Sequence, residues 1–542
     1  MKFILASRLW EEKRRHWIDL AILLVLGWFL FIWGNHLYTL FNNSEPHYAR
    51  VAQELAHHHD KLNLTFNGEP WYVHPPLHFW MTSTLCNWVG WHDWSIRLPE
   101  GVFGIFGLFA IYGMGTLCFN RKTGLLAALI LGSSLYYVVM SRVGVFDTLL
   151  NTFILGTCWG FLGTLYDPKN KGKYALLGGI STGLAVLTKG PIGWIHPGVP
   201  ILIYLTFTGS LKHLKDPFFL GGILLSFLIG APWYVYELLQ HGKPFFEIAL
   251  KDYTWYRFFD VVEGQTGTWY FYLPVLLSFF PWITYVPLTL MQAKQAPFWK
   301  APFEDPHKGT SLFSWIFIGF TFVFFSSAQT KLPSYILSLF PFLSLLIAHA
   351  ILHLSHHPFG FKRAALTASF LCTTLLAMAW TLKLPAPFQI YHGWVVGFFA
   401  ILAIGYGLAY AASFYTRRSS IGLSVTTMVI ATFFLTHFIL PLYDPYKSHQ
   451  ILLKALPPLT NEDTLICVNT FNPALKYYLN RNIPDVRSMH EAFTWMSTHP
   501  QSGKRFLIVN QNDLKSLPPS LKGEILTTTL EKEVLIQLTE NK

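Results

Sequence analysis

Long apolar runs, separated by short polar clusters, fill the chain up to about residue 441. Runs near the ~20 residues an apolar helix needs to cross a bilayer recur at roughly 17–33, 101–119, 123–140, 147–166, 174–188, 191–208, 217–239, 269–291, 311–327, 333–353, 363–381, 391–411 and 421–441. The pattern predicts an all-α polytopic membrane protein with about 13 transmembrane helices. The segment 77–92 is also apolar, but it is short and rich in Trp and His, which suits a helix lying in the membrane interface. Beyond 441 the pattern changes. Residues 463–469 and 505–510 read as short buried strands, 472–480 and 491–499 as helices, and 533–538 as a third strand. The expected division is therefore a transmembrane domain over 1–441, with a first outside loop at about 34–100, and a small extracytoplasmic α/β domain over 442–542.

Composition agrees with a membrane protein. Of 542 residues, 52% are hydrophobic and 13% charged, and mean hydropathy is +0.36; a soluble chain would carry about 25% charged residues. The net charge of +11 does not point to nucleic acid, because the basic residues collect in every second connection. Arg14 and Arg15 precede the first span, and Arg121–Lys122, Lys169–Lys173, Lys212–Lys215, Lys362–Arg363 and Arg417–Arg418 follow at alternate turns. Such connections face the cytoplasm. The N-terminus is thus expected inside, and an odd number of spans places the C-terminal domain outside, which for a bacterial inner membrane is the periplasm. The basic segment 1–16 leads into an apolar run with no small-residue cleavage site, the pattern of a retained anchor. Cys86, Cys118, Cys158, Cys372 and Cys467 are odd in number and offer no disulfide framework or metal spacing.

Where charge is scarce, polar residues in the outside loops stand out. In Ser44-Glu45-Pro46-His47-Tyr48-Ala49-Arg50, Ser44 suits a helix cap and Pro46 a first turn. Tyr48, Val51, Ala52 and Leu55 then share one face of an amphipathic helix. Glu45 either stabilises the dipole of that helix or acts as a general base or acid at the rim of a cavity. Pro75-Pro76 is a stiff extended element that sets the direction of His74. His57-His58-His59 cannot all face one ion, so no metal site is expected. Asp147 stands at the mouth of a span, Lys189 in a tight Thr-Lys-Gly-Pro turn, Arg257 in the fourth outside loop, and Lys331 and Tyr335 in the fifth. A charge at membrane depth costs a few kcal/mol or more. Three cations there suit a phosphate at the lipid boundary; taken singly, each could instead snorkel to the headgroups.

Taken in order, these motifs carry a resemblance. Leu187-Thr188-Lys189-Gly190-Pro191, Lys331-Leu332-Pro333-Ser334-Tyr335, Asn67-Gly68 before Trp71-Tyr72, Pro75-Pro76 and Arg97-Leu98-Pro99 together resemble the bacterial lipid-A aminoarabinose transferases. They also resemble the related polyprenyl-phosphate-sugar transferases, kin of the protein O-mannosyltransferases. The likeness runs over most of 15–440. Two motifs depart from it. The family's Asp-Glu-x-Arg-Tyr-Ala is Ser44-Glu45-Pro46-His47-Tyr48-Ala49 here, and an acid-lysine pair before Pro-Pro is Val73-His74. The resemblance implies a GT-C fold and an inverting membrane glycosyltransferase without a cofactor. Its donor would be an undecaprenyl-phosphate-linked sugar and its acceptor lipid A, another glycolipid or a protein. Glu45 and Asp147 would be catalytic, with Tyr48, His74, Lys189, Arg257, Lys331 and Tyr335 binding substrate. A transporter of lipid-linked sugars is the rival reading. It predicts internal repeats and charges deep in the helices, whereas here the charges gather at one face.

Overall fold

The structure is a computed structural model that describes residues 2–41, 44–262, 264–295, 305–354, 358–386, 388–499, 502–516 and 521–540. It falls into two compact units. The first comprises residues up to Asn35, Tyr72–His78 and Arg97–Leu435; the second comprises His36–Trp71, Phe79–Ile96 and the chain from Thr436 onward.

The first unit is helical. Among the described residues nine helices are long and apolar enough to cross a membrane: Lys13–Ile32, Asp93–Cys118, Asp147–Tyr166, Pro217–His241, Pro306–Ser327, Pro333–His353, Phe359–Thr381, Phe388–Ala412 and Arg417–Tyr446. They coincide with nine of the expected stretches. The other four form helices of different character. Residues 123–140 split into Arg121–Gly132 and Leu135–Met140 at Ser133 and Ser134, whose hydroxyls donate back to the Leu129 and Leu131 carbonyls. Residues 174–188 lie in Lys171–Lys189, which carries three lysines. Residues 191–208 form Ile192–Phe207, only 16 residues long with Pro197 and Pro200 inside it. Residues 269–291 break around Pro281 into Tyr272–Leu277 and Val286–Gln295.

One helical hairpin places two opposite charges at the same end of this unit. Asp147–Tyr166 and Lys171–Lys189 are joined by the short turn at 167–170 and pack side by side. Glycine lets them approach: a Cβ on Gly160 would lie 2.6 Å from the Gly178 backbone. Two antiparallel helices of nearly equal length bring the first residue of one beside the last residue of the other. Asp147 and Lys189 therefore share an end of the bundle.

In the second unit, the helix Ser44–His57 packs on the hairpin of β1 (Thr65–Phe66) and β2 (Glu69–Pro70). Its turn is Asn67-Gly68, with φ of 59° and 84°, the left-handed pair that an Asn-Gly hairpin supplies. The C-terminal part holds β3 (Thr464–Val468), β4 (Asp485–Val486), β5 (Arg505–Asn510), β6 (Leu521–Thr528) and β7 (Glu533–Glu540). They form one sheet in the order β4-β3-β5-β7-β6, parallel between β3 and its two neighbours and antiparallel beyond β5. Strand alternation divides the sheet's core. Ile466, Val468, Leu507, Val509 and Ile536 pack against Met489, Ala492 and Met496 on one face. Leu465, Cys467, Phe506, Ile508 and Leu535 pack against Leu452, Leu475 and Ile483 on the other. All five cysteines are buried and unpaired.

Candidate functional site

The site in the first unit starts from that hairpin. Lys189 ends its helix because Gly190 follows at φ 87°, with its N–H on the Val186 carbonyl, a conformation that glycine adopts without strain. A Cβ at Gly190 would also stand 2.7 Å from the Tyr234 hydroxyl. A cation at a helix C-terminus and a carboxylate at a helix N-terminus are each favoured by the backbone dipoles. Here they meet: Lys189 Nζ donates to Asp147 Oδ1 at 2.5 Å, and both side chains are mostly buried. Two rings flank the ammonium, Phe146 and Tyr335, each 5.1 Å from ring centroid to Nζ.

Around this pair lies a cavity. His74, Asp147, Lys189, Arg257 and Tyr335 all line it, together with apolar side chains such as Ile154, Trp233 and Phe325. His74 is held edge-on to Phe146, centroids 4.5 Å apart. Arg257 lies over the Tyr253 ring at 5.5 Å and donates to Gln265 Oε1 at 2.8 Å. The loop that carries it is pinned to the loop before Pro333–His353: the Gln329 and Thr330 N–H groups reach the Phe258 and Arg257 carbonyls, and Thr266 bridges Thr330. Residues distant in sequence thus converge. Lys331 is not among the lining residues. It is buried and donates to the Ala328 carbonyl of its own loop. Glu45 and Tyr48 belong to the second unit. Glu45 sits in the first turn of Ser44–His57, 1% exposed, and accepts the Phe41 N–H at 2.6 Å. Tyr48 packs edge-on against Trp71 and Phe79.

Two residues of the first loop, Glu100 and His78, lie beside Asp147 and are not among the expected site residues. Glu100 is fully buried; its Oε2 accepts the Leu149 N–H at 3.0 Å, in the turn that Asp147 opens, and its Oε1 lies 3.4 Å from His78 Nδ1. Burial pushes the His78 imidazole down to about 4, against the pull of Asp147, so it is neutral at pH 7. The sequence signal is a carboxylate at the head of an apolar run. A span that starts at 101 leaves it just outside.

The likeness to solved structures defines the fold class. Over 96% of this chain and 98% of the other, the structure matches ArnT from Cupriavidus metallidurans bound to undecaprenyl phosphate, with TM-score 0.82 and 19% identity. The apo form of that protein matches with TM-score 0.83 and 18% identity. The chain thus shares the fold of these ArnT structures, the GT-C fold that the resemblance implies. In sequence, residues 73–236 match the family described as dolichyl-phosphate-mannose-protein mannosyltransferase. A Yersinia pestis protein named undecaprenyl phosphate-alpha-4-amino-4-deoxy-L-arabinose arabinosyl transferase is 26% identical over 317 residues, 57% of this chain and 55% of that one. An uncharacterized protein of Aquifex aeolicus is 26% identical over 307 residues, 56% of this chain and 58% of that one. The chain thus spans a little over half the length of the curated relatives it matches. These matches bear out the resemblance to the aminoarabinose transferases and the protein O-mannosyltransferases.

Proposed function

We propose that this chain is an inverting membrane glycosyltransferase. It takes a sugar from an undecaprenyl-phosphate donor and passes it to lipid A or another envelope acceptor on the periplasmic face of a bacterial inner membrane. The observation that carries this reading is the Lys189–Asp147 pair, set between two rings and beside Arg257 in one cavity. The arabinosyl transferase name of the Yersinia relative and the undecaprenyl phosphate of the Cupriavidus structure support the donor class.

In this reading an acceptor hydroxyl oxygen attacks the anomeric carbon. The bond from that carbon to the phosphate oxygen breaks, and the hydroxyl proton passes to Glu45. Asp147 orients the acceptor. Lys189 and Arg257 stabilise the charge that grows on the departing lipid phosphate, and His74 and Tyr335 shape the pocket. Direct displacement inverts the anomeric centre. All thirteen apolar stretches cross the membrane, the four irregular ones included, and the chain beyond 441 forms a docking or lid domain outside. The family description attached to residues 73–236 favours a protein acceptor as second reading, with the same chemistry.

Mass spectrometry of lipid A, envelope glycans and envelope proteins, from cells with and without the gene, reads donor and acceptor together. Glu45→Gln can still accept the Phe41 N–H, so the fold should survive while transfer falls by roughly 10²–10⁴-fold. Wild-type transfer in that variant removes Glu45 from the mechanism.

A further inference from the structure

The second unit contains a cleft that shares no residue with the cavity around Lys189. It measures about 460 Å³ and is lined by His36, Gln53, Trp91–Trp94, Tyr477, Tyr478 and Asn480, a size within the roughly 300–1,000 Å³ typical of small-ligand sites. We propose that it is a saccharide-binding site for the glycan portion of the acceptor.

Three observations carry this. The first is the orientation of two carboxamides. Arg50 Nη1 donates to Gln53 Oε1 and to Asn480 Oδ1, both at 2.8 Å, and Arg50 Nη2 donates to Asn482 Oδ1 at 2.7 Å. One guanidinium therefore occupies both lining amide oxygens from behind. Gln53 and Asn480, both lining the cleft, thus keep their amide N–H groups as donors that this guanidinium does not use. Gln53 is only 7% exposed, so its position is set by packing. The second is aromatic surface. Trp94 lies stacked on His92, centroids 6.0 Å apart and planes 13° apart, while Trp91 and Tyr477 pack with the buried cluster of Leu40, Ala49 and Ile96. Held indole faces take up the apolar C–H face of a sugar ring. The third is charge. Among the described residues Asp93, which accepts the Tyr478 hydroxyl at 2.8 Å, is the one carboxylate of the lining, and no lysine or arginine lines the cleft. Fixed donors, an anionic acceptor and aromatic faces without a cation suit a neutral or amino sugar and disfavour a phosphate.

Tryptophan also marks membrane interfaces, and Trp88, 83% exposed, has the character of such an anchor. Trp91 and Trp94 are half-buried and share their cleft with amides and a carboxylate, which an acyl chain would leave unsatisfied.

The inference names the acceptor's chemistry and to that extent rests on the proposed transfer. Its test uses the full chain held in amphipol, with deacylated and dephosphorylated lipopolysaccharide oligosaccharide as the probe. Tryptophan quenching and saturation-transfer NMR should show saturable binding. Trp94→Ala and Asn480→Asp should each weaken it at least tenfold while undecaprenyl phosphate binding stays within twofold of wild type. Asn480→Asp is the gentler change, since aspartate tolerates the left-handed backbone at φ 47°. Absence of oligosaccharide binding by the wild type, or unchanged binding by both variants, overturns the proposal. Quenching produced equally by sugar-free phosphatidylethanolamine–phosphatidylglycerol vesicles and lost in Trp94→Ala also overturns it, and makes the cleft a lipid seat. A wild type that binds the oligosaccharide yet never turns over a donor sinks the transfer reading alone.

Discussion

At the scale of single residues, the Lys189–Asp147 contact sets up a competition. An incoming phosphate needs the ammonium that the carboxylate already holds at 2.5 Å. Charge-assisted hydrogen bonds contribute about 1.5–3 kcal/mol each, or roughly 10–100-fold in affinity. Lys189→Ala should therefore weaken undecaprenyl phosphate binding about 10–100-fold. Asp147→Asn, which frees the ammonium, should tighten it while slowing transfer. Calorimetry on both variants reads the two signs, and weakening by both shows a purely structural pair. His47 supplies a pH effect. Burial among Phe66, Trp71 and Phe471, helped by the Lys476 charge, pushes its imidazole down to about 4. An unfolded histidine titrates near 6.5, so between those values the unfolded chain binds a proton the folded unit refuses. The His47 contribution to the stability of the second unit is then full above about pH 7 and falls as pH drops from 6.5 to 4, by about 1.4 kcal/mol per pH unit. His47→Phe should flatten that slope in thermal unfolding followed from pH 7.5 to 4.5. His449, also held near 4 by burial, adds a slope of the same sign and similar size, and Glu533, pushed up to about 7 by burial, one of opposite sign, so the readout is the difference between wild type and variant. Lys189 was legible because a Gly-Pro turn leaves a lysine nowhere else to stand. Glu100 was not, because its partner is an N–H 49 residues away.

At the scale of elements, Glu54 is the joint between the Ser44–His57 helix and the β1–β2 hairpin. Its carboxylate accepts the Asn67 and Gly68 N–H groups at 2.8 and 3.1 Å and the Thr65 hydroxyl at 2.8 Å, and it pairs with Arg50 Nε at 2.8 Å. Arg50 is 5% exposed. Removing its partner leaves a buried charge uncompensated, a loss of about 3–5 kcal/mol. Glu54→Ala should lower the unfolding midpoint of the second unit accordingly and open 60–70 to proteolysis. Glu54→Gln, which keeps the shape, should do much less, and equal effects would show that shape rather than charge makes the joint. Elements were legible where period and length agreed. The helix at 44–57 followed from Ser44, Pro46 and the spacing of Val51 and Leu55, and strands β3 and β5 from their unbroken apolar runs. Strand β4 is two residues long and pairs with β3 only through tertiary contact, so local pattern could not announce it. Nor could it show that Arg50 reaches Asn480, 430 positions away.

At the scale of the whole molecule, charge is sorted by end within the first unit. The cavity draws on Asp147, Lys189, Thr330 and Ser334, all at the mouths of apolar helices. The far end of the Asp147–Lys189 hairpin holds Lys169, Lys171 and Lys173, and Arg121 follows a separate short turn. Lys171 pairs with Asp216 at 2.5 Å, and Arg121 pairs with Asp19 at 2.6 Å and also donates to the Arg15 carbonyl. Positive charge is retained on the cytoplasmic side of a bilayer, so the proposed topology puts the basic end in the cytoplasm and the cavity outside. On that proposed topology Lys189 would meet a lipid-borne sugar already carried across the membrane rather than a soluble cytoplasmic nucleotide sugar. Single cysteines at exposed positions test it, because the five native thiols are buried. Ser44→Cys and Gln329→Cys should react with a membrane-impermeant maleimide on intact spheroplasts. Lys169→Cys should react only after permeabilisation. If position 169 is labelled from outside, or positions 44 and 329 lie on opposite sides, then the acids of the first loop and the cations of the cavity do not serve one substrate, and the transferase mechanism built on them fails.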